Sequence, residues 1–566
     1  MLLNKRVMPP DVDGLLDRAE ASERDGRPVH ASRSYQAALH LDPHSRAAAV
    51  NLAVLCKSLG QLPACCAAQR HAATLHAELR LAQPQRLCDG GPTFGMADCR
   101  PERLHEAATA LRATLVGGGY SSSSACSLLG LESSELPTAT ALLLLRERPE
   151  LREQLMSPAA SQPVSMLMLL FLLGAAVPSA TVKVALGASC VDSLKALGLL
   201  LPRSDDTDGA PLLSSPIQVY PLSLDAGGSE VALDSCGDVG SDRSEGDGEL
   251  LLATDWALES LLPTKLAVMP IGDDSITLAR LAPCPRRRGA RILDLCTGSG
   301  VQALAACQRW GSDVAEVVAV DVNPRALRFV AFNAALNEQS HRVRPLLSDV
   351  YSAVDSLIAA DGDEDGEGDE GVGGPFDAIL ANPPFVAVPP PPPGASTHAE
   401  WALYADGGPD GARVLNAVVA GATTARLRPD GYLAIVSEFP NVRSAHQTLA
   451  GLRPGLDLAL FYDPACVEGA DEYAELRADE RGWPWADADA HRASLEAHGV
   501  EHMGSGLVFA VQRGGTEPSI GACHVMEGAA TEEEGLGTGH AATQIRAVCE
   551  KMLVADARKM CRVQVL

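Results

Sequence analysis

Aromatic side chains are scarce in this 566-residue sequence, at 4% of the total, while 46% of residues are hydrophobic. Sizeable cores are therefore affordable, but aliphatic packing must dominate them, and the length suits three or four domains. Basic residues are also few. Lys and Arg number 46 against 72 Asp and Glu, a formal net charge of −26 and a pI of about 4.9. Such a balance argues against a broad basic face that clamps bare nucleic acid, though not against a local basic groove. Paired metal-ligand cysteines are missing. The fifteen cysteines, scattered from Cys56 to Cys561, contain no CxxC spacing, so reduced thiols of an intracellular, cytoplasmic protein are expected and no metal site. No apolar run is long enough to cross a bilayer. The longest, Val164 to Val177, has fourteen residues before Pro178, where about twenty are needed, and is expected to be a buried core helix. Met1 to Pro10 lacks the apolar core of a signal peptide, so no membrane partner is expected.

What is present centres on Arg291 to Ala306, RILDLCTGSGVQALAA. Ile292, Leu293 and Leu295 form the short apolar run of a buried parallel strand. Thr297-Gly298-Ser299-Gly300 breaks it, and helix-forming residues resume at Val301. A glycine turn between strand and helix lets a ligand approach the main chain closely, but alone it is also an ordinary βα turn. Three further motifs follow at the tips of apolar runs. Asp321 ends the run from Glu316, placed to accept from a ribose diol; Ser348-Asp349 ends a third strand from Arg342; and Asn382-Pro383-Pro384-Phe385 ends a fourth, Phe376 to Ala381. Open α/β sheets bind ligands at the carboxyl ends of their strands.

These residues resemble the class I S-adenosylmethionine-dependent methyltransferases, in particular the branch with Asn-Pro-Pro-Phe or Asn-Pro-Pro-Tyr. The resemblance implies an α/β, Rossmann-like, seven-stranded sheet over residues 264–513, with strands at 291–295, 316–320, 342–347, 376–381, 431–437, 457–462 and 506–512. It implies S-adenosylmethionine as cofactor. Gly298 and Gly300 would pass its amino-acid portion, Asp294 would meet its ammonium, Asp321 its ribose and Asp349 its adenine amine. Cys296 and Thr297 complete the cofactor loop, Cys296 also reading as a small apolar side chain at a tight turn, and Asp349 also as a turn or helix-capping residue.

The Asn-Pro-Pro-Phe tetrapeptide specifies chemistry. Planar NH2 groups are poor nucleophiles because the nitrogen lone pair is delocalised. The Asn382 side-chain carbonyl and the Pro383 backbone carbonyl can hold both hydrogens and turn that lone pair toward a methyl group. Prolines 383 and 384 fix the loop, Phe385 offers a flat face for stacking, and Asn382 also borders the cofactor. Asp406-Gly407-Gly408-Pro409-Asp410-Gly411 resembles a segment of the HemK-type glutamine methyltransferases, which usually carry tyrosine at the position of Phe385. Ribosomal RNA guanine methyltransferases of the small-domain type often carry phenylalanine there. The expected activity is methyl transfer to a planar nitrogen of a macromolecule, with a protein glutamine favoured. An adenine or guanine amine of ribosomal or transfer RNA is the alternative. A repeat-containing scaffold with a non-catalytic cofactor-binding domain is the third reading.

Around this domain, residues 10–80 resemble tetratricopeptide repeats and imply a protein partner. Gly26, Ala31, Tyr35, Ala38 and Pro43 recur 34 positions later as Gly60, Cys65, Gln69, Ala72 and Ala77. A generic helical hairpin is the plainer alternative. Residues 101–263 read as a helical module followed by short strands at 217–222, 230–233 and 249–253, a winged-helix-like pattern. Together with Ile271 to Arg280 they resemble the N-terminal part of small-domain methyltransferases. Ser235 to Gly248 reads as a loop, as does Asp361 to Glu370, with seven acids in ten residues. Pro389 to Pro393 should be polyproline II. Residues 514–566 show no sheet periodicity and read as a partly disordered tail, with one amphipathic helix within 543–566.

Overall fold

The computed structural model of the chain describes residues 12–24, 28–41, 48, 51–52, 100–131, 136–138, 142, 155, 162–203, 211–224, 249–256, 266–362, 374–390, 403–478, 488–513, 521–525 and 539–554. Helices α1 (Val12–Arg24) and α2 (Pro28–Leu41) pair through buried Ala19, Ala31 and Tyr35. Gly26, Pro43 and the second candidate repeat lie outside the described residues.

Helix α3 (Pro101–Gly117) buries Leu104, Ala107, Ala108, Leu111 and Leu115, the apolar stripe of a surface helix. Pro101 suits its first turn, where the missing N–H has no intrahelical partner. The apolar run from Val164 is buried from Met166 to Leu173, as its composition predicts, but is helical over a shorter span than expected. Pro163–Leu167 is α-helical, Met168–Leu172 widens into a π turn, and Gly174 leaves with a φ of 65°. Among the described residues no helix is long and apolar enough to cross a membrane.

Val177 then enters β1 (Val177–Pro178), which joins β2 (Leu201–Arg203) and β3 (Leu212–Ser214) in a small antiparallel sheet of order β1-β3-β2. Strands β4 (Gln218–Ser223) and β5 (Glu249–Thr254) pair antiparallel. The predicted strand at 230–233 and the loop at 235–248 lie outside the described residues.

Helix α4 (Asp273–Leu281) leads into the main sheet. Its first part alternates strand and helix: β6 (Ala290–Leu295), α5 (Val301–Trp310), β7 (Val314–Asp321), α6 (Pro324–Leu336), β8 (Val343–Leu347) and β9 (Phe376–Ala381). Strands β10 (Leu427–Pro440), β11 (Leu456–Gly469), β12 (His502–Gln512) and β13 (Gly521–Val525) complete it, in the order β13-β11-β12-β10-β9-β6-β7-β8. Neighbours are parallel except β12, which runs antiparallel between β10 and β11. The sheet therefore has eight strands where seven were expected. Strand β13 is the addition: a five-residue strand paired on one side only, too short for its alternation to show in the sequence. Helix α7 (Gly539–Val554) follows and buries Ile545, Val548 and Cys549.

Buried on both faces, β6 and β9 feed two cores with alternate residues. Leu293, Leu295, Val318, Val320 and Ile379 point to one side. Ile292, Val317, Ala319, Ala378 and Leu380 point to the other, where they share a continuous core with α3, the 166–173 segment, β4, β5 and α7. Because β6, β7, β8 and β9 run parallel, the four predicted motifs emerge at one edge of the sheet.

Candidate active site

That edge encloses a cavity of about 320 Å³, a size suited to a small ligand. Cys296, Thr297, Gly298, Asp321, Asp349, Asn382, Pro383, Pro384 and Phe385 line it; Asp294 and Gly300 stand behind the lining. Ala267 to Ile271, Gln302, Tyr404, Asp406 and Arg413 also line it, none of them given a role from sequence.

The glycine loop is braced from β6. Asp294 is fully buried; its Oδ2 accepts from Thr297 Oγ1 at 2.5 Å and from the Ala303 N–H at 3.1 Å. Its Oδ1 takes no hydrogen bond among the described residues. Burial pushes the carboxyl up to about 7, against the two hydrogen bonds, which favour the ionised form. Cys296 starts the loop at a φ of 56°, a conformation that costs a side-chain-bearing residue about 1–3 kcal/mol, and Val350 in the loop after β8 has a φ of 47°. Two strained residues thus flank one cavity, as happens where a site over-determines its backbone. Burial, with the nearby carboxylates Asp321 and Asp294, holds the Cys296 thiol well above its usual range, so it stays a neutral thiol. Gly298 (φ 56°) has open space where a Cβ would stand, and its N–H donates to Asp321 Oδ2 at 2.9 Å.

Asp321 Oδ1 accepts from the Asn323 N–H at 2.8 Å, so the carboxylate ties the glycine loop to the loop after β7. Burial raises its carboxyl, opposed by backbone N–H donors at Asn323, Gly298 and Val322. Asn323 caps α6 by accepting from the Arg325 N–H at 3.0 Å, and its Nδ2 donates to the Leu266 carbonyl at 3.0 Å. Arg325 and Asp255, at the end of β5, form an ion pair with side chains 4% and 5% exposed, and Asp255 also accepts from the Val268 N–H at 2.9 Å. The wall 266–271 is held by these contacts. After β8, Ser348 rather than Asp349 does the local capping, its Oγ accepting from the Ala353 N–H at 2.9 Å, which leaves the exposed Asp349 carboxylate on the cavity wall.

Asn382 is oriented by α4. Its Nδ2 donates to Asp274 Oδ2 at 2.9 Å and to Ser275 Oγ at 3.1 Å. Asp274 Oδ1 accepts from the Ser275 N–H at 2.7 Å, which fixes the carboxylate. Asn382 lines the cavity, and its Oδ1 is buried and takes no hydrogen bond among the described residues. Flipping this amide would set its carbonyl oxygen against the Asp274 carboxylate, so the acceptor faces away from α4. Burial raises the Asp274 carboxyl, with the Asn382 hydrogen bond opposing.

The Gly-Gly-x-Asp-Gly segment clamps the tetrapeptide's exit. Val386 donates to Ala405 and accepts from Gly407 at 2.9 Å each, and the Val388 N–H donates to Gly408 at 2.8 Å. A Cβ on Gly407 would lie 2.8 Å from the Phe385 main chain, and one on Gly411 (φ 79°) 2.5 Å from the Phe385 carbonyl oxygen. Only glycine lets these two backbones meet. Phe385 and Tyr404 pack beside Val386, Val388 and Ala405 at the mouth. Arg413 pairs with Asp406 at 3.2 Å, so among the described lining residues Asp321, Asp349 and Asp406 outnumber one arginine.

Parts of this chain are similar to known proteins. The family model described as ribosomal protein L11 methyltransferase (PrmA) matches residues 276–360, from α4 through β8. Release factor glutamine methyltransferase of Mycolicibacterium smegmatis is 36% identical over 138 residues, covering 24% of this chain and 41% of that protein. The tRNA1(Val) (adenine(37)-N6)-methyltransferase of Aeromonas hydrophila is 32% identical over 117 residues, covering 21% of this chain and 41% of that one. The fold is mixed α/β, built on a mostly parallel eight-stranded sheet. The chain spans less than half the length of these two relatives. The crystal structure of TrmN from Thermus thermophilus shares 20% identity at a TM-score of 0.23, covering 42% of this chain and 47% of that one. Around the cavity, the residues sequence reasoning passed over are Asp274, Ser275 and Gln302. Asp274 and Ser275 lie in the recognisable segment Ile271 to Arg280, but their role depends on meeting a residue 108 positions away.

Proposed function

We propose that the chain is an S-adenosylmethionine-dependent methyltransferase that methylates a planar NH2 nitrogen of a macromolecule, with a protein glutamine amide as the preferred target. The observation that carries this is the orientation of Asn382, with its NH2 taken by Asp274 and Ser275 and its carbonyl left to accept. The cavity fits the cofactor on its own chemistry. A buried orphan oxygen on Asp294 suits an ammonium, Asp321 at the tip of β7 suits a ribose diol, and exposed Asp349 suits an adenine amine. Cys296, Thr297, Gly298 and Gly300 form the rest of the cofactor-binding set, with Asn382 at its border. The cofactor supplies a methyl group on a cationic sulfur, open to in-line displacement.

Asn382 Oδ1 and the Pro383 carbonyl hold the two hydrogens of the target nitrogen and aim its lone pair into the cavity. Pro383 and Pro384 keep that loop from rearranging, and the Phe385 ring stacks on the planar target. Catalysis is then placement and electrostatics, with no general base required to begin the displacement.

Glutamine is favoured over a base because the chain is acidic overall, with a formal net charge of −26, which disfavours a phosphate backbone. The glutamine-directed relative in M. smegmatis supports the same choice. An RNA base amine is the second reading, supported by the tRNA adenine methyltransferase of A. hydrophila and by Phe385 as a stacking platform. The paired helices α1 and α2 serve as a docking site for a protein partner in this reading. A cytoplasmic setting follows from the unpaired cysteine spacing of the sequence. The test is labelled S-adenosylmethionine added with the protein to a cell extract, followed by separation into protein and RNA. Label in glutamine-containing peptides supports the proposal; label in RNA alone moves the substrate to the second reading; label in neither overturns the activity.

A further inference from the structure

Gln302 repeats the pattern of Asn382 at a second point of the same cavity. It is the second residue of α5, directly after the glycine loop, and is 3% exposed. Its Nε2 donates to the Ser275 carbonyl at 2.9 Å, while its Oε1 takes no hydrogen bond among the described residues. One residue of α4 thus holds the NH2 groups of two amides: Ser275 takes Asn382 through its hydroxyl and Gln302 through its backbone carbonyl. A flip of Gln302 would bring its carbonyl oxygen against the Ser275 carbonyl, so the orientation is set. A buried carbonyl oxygen without a donor is costly, and such an atom calls for an explanation, which strain, a water, a ligand or a function can supply.

The donor it would meet follows from its place. The glycine loop carries the cofactor's amino-acid portion in the reading above, and α5 begins where that loop ends. Asp294, whose leftover oxygen is also buried, braces the same loop through Thr297 and Ala303 on either side of Gln302. Asp321 lines the cavity and Asp274 and Asp294 stand behind it, each driven toward its neutral form by burial. A further acid would add to that penalty. A neutral amide adds an acceptor without adding charge.

We propose that Gln302 binds the α-ammonium group of the cofactor's amino-acid portion through Oε1, with Ser275 as the residue that positions it. The proposal rests on the methyltransferase reading of the cavity. Its test is calorimetry on the full chain with two probes: S-adenosylhomocysteine, which carries the ammonium, and 5′-methylthioadenosine, which shares the adenosine and thioether but lacks the amino-acid portion. In Gln302→Leu the first affinity should fall about ten- to a hundredfold, the worth of one hydrogen bond to a charged group, while the second stays unchanged. Gln302→Met, closer in shape and equally unable to offer the carbonyl, should behave alike, and 5′-methylthioadenosine binding shows in each variant that the adenosine half of the site is intact. Unchanged S-adenosylhomocysteine affinity in both variants overturns the assignment, as does an equal loss for both probes. If the unaltered chain binds neither probe, the methyltransferase reading fails with it; if it binds both and only the Gln302 result is negative, that reading stands.

Discussion

Asn333 exchanges hydrogen bonds with both backbone groups of Ala253, accepting from its N–H at 2.8 Å and donating to its carbonyl at 2.9 Å. One turn further, at the C-cap of α6, Asn337 does the same for Leu251, at 2.9 and 2.8 Å. Residues four apart on a helix share a face, and residues two apart on a strand share an edge. Two asparagines therefore imitate a neighbouring strand for β5 and fasten the N-terminal block to the catalytic sheet. Asn333 goes further, because its Nδ2 also donates to the Ser299 carbonyl in the glycine loop at 2.8 Å.

The two asparagines should separate under mutation. Each replacement by alanine leaves a buried backbone pair on β5 unsatisfied, so each should lower unfolding free energy by about 1–3 kcal/mol. Only Asn333→Ala frees the glycine loop, so only it should also weaken S-adenosylhomocysteine binding. Denaturant unfolding beside calorimetry checks both; equal cofactor affinity in the two variants would show that the Ser299 contact does not hold the loop.

Asp294 should make S-adenosylhomocysteine binding depend on pH. Its carboxyl titrates near 3.8 in an unfolded chain and is raised to about 7 in the fold by burial. Between those values the folded protein keeps a proton that the unfolded chain has lost. Stability therefore declines as pH rises through this window, and the decline ends once the folded group has ionised. An ammonium partner requires the carboxylate. Affinity for S-adenosylhomocysteine should rise with pH up to about 7 and level off above it. Asp294→Asn should flatten the difference. A slope of the same size in that variant would place the titrating group elsewhere, with Asp274 and Asp321 the next to be replaced.

Gly411→Ala tests the clamp behind the tetrapeptide. The new Cβ would meet the Phe385 carbonyl, and the residue would have to keep a φ of 79°. The Phe385 loop should shift while the cofactor wall, built from β6, β7 and β8, stays in place. Turnover on the substrate identified from extract should drop at least tenfold, with S-adenosylhomocysteine affinity within about threefold. A loss of affinity matching the loss of turnover would show that the clamp supports the whole cavity.

Much of this arrangement was legible because its signals are local. The parallel strands are buried on both faces, so Ile292 to Leu295 and Phe376 to Ala381 read as apolar runs, and glycine, aspartate and Asn-Pro-Pro follow them directly. Strand β13 was not legible: Gly521 to Val525 is too short to show a period, and its pairing with β11 spans some sixty residues of chain. Asp274 and Gln302 were missed for a different reason. Each looks ordinary in its helix and acquires meaning only from a partner brought near by the fold. Asn333 and Asn337 had a usable signal, two amides at i and i+4 in a stretch otherwise apolar from Phe329 to Leu336, which points to buried amides with a shared partner.

The last prediction concerns the chemistry after β9. Asn382→Ala removes the acceptor that orients the target nitrogen and leaves the glycine loop and Asp321 untouched. Cofactor affinity should hold within about threefold while turnover falls by roughly two to three orders of magnitude, the effect of losing one preorganised polar contact in a transition state. Asp274→Ala should move turnover the same way by releasing the amide to flip, and the double variant should be no worse than Asn382→Ala alone, because both changes act through one oxygen. Phe385→Ala should weaken substrate binding, since stacking acts on the ground state as well, and Phe385→Tyr should be tolerated because the ring remains. Single-turnover methylation of the substrate identified from extract decides among these. Full activity in Asn382→Ala would sink the planar-nitrogen mechanism, and an additive loss in the double variant would detach Asp274 from it.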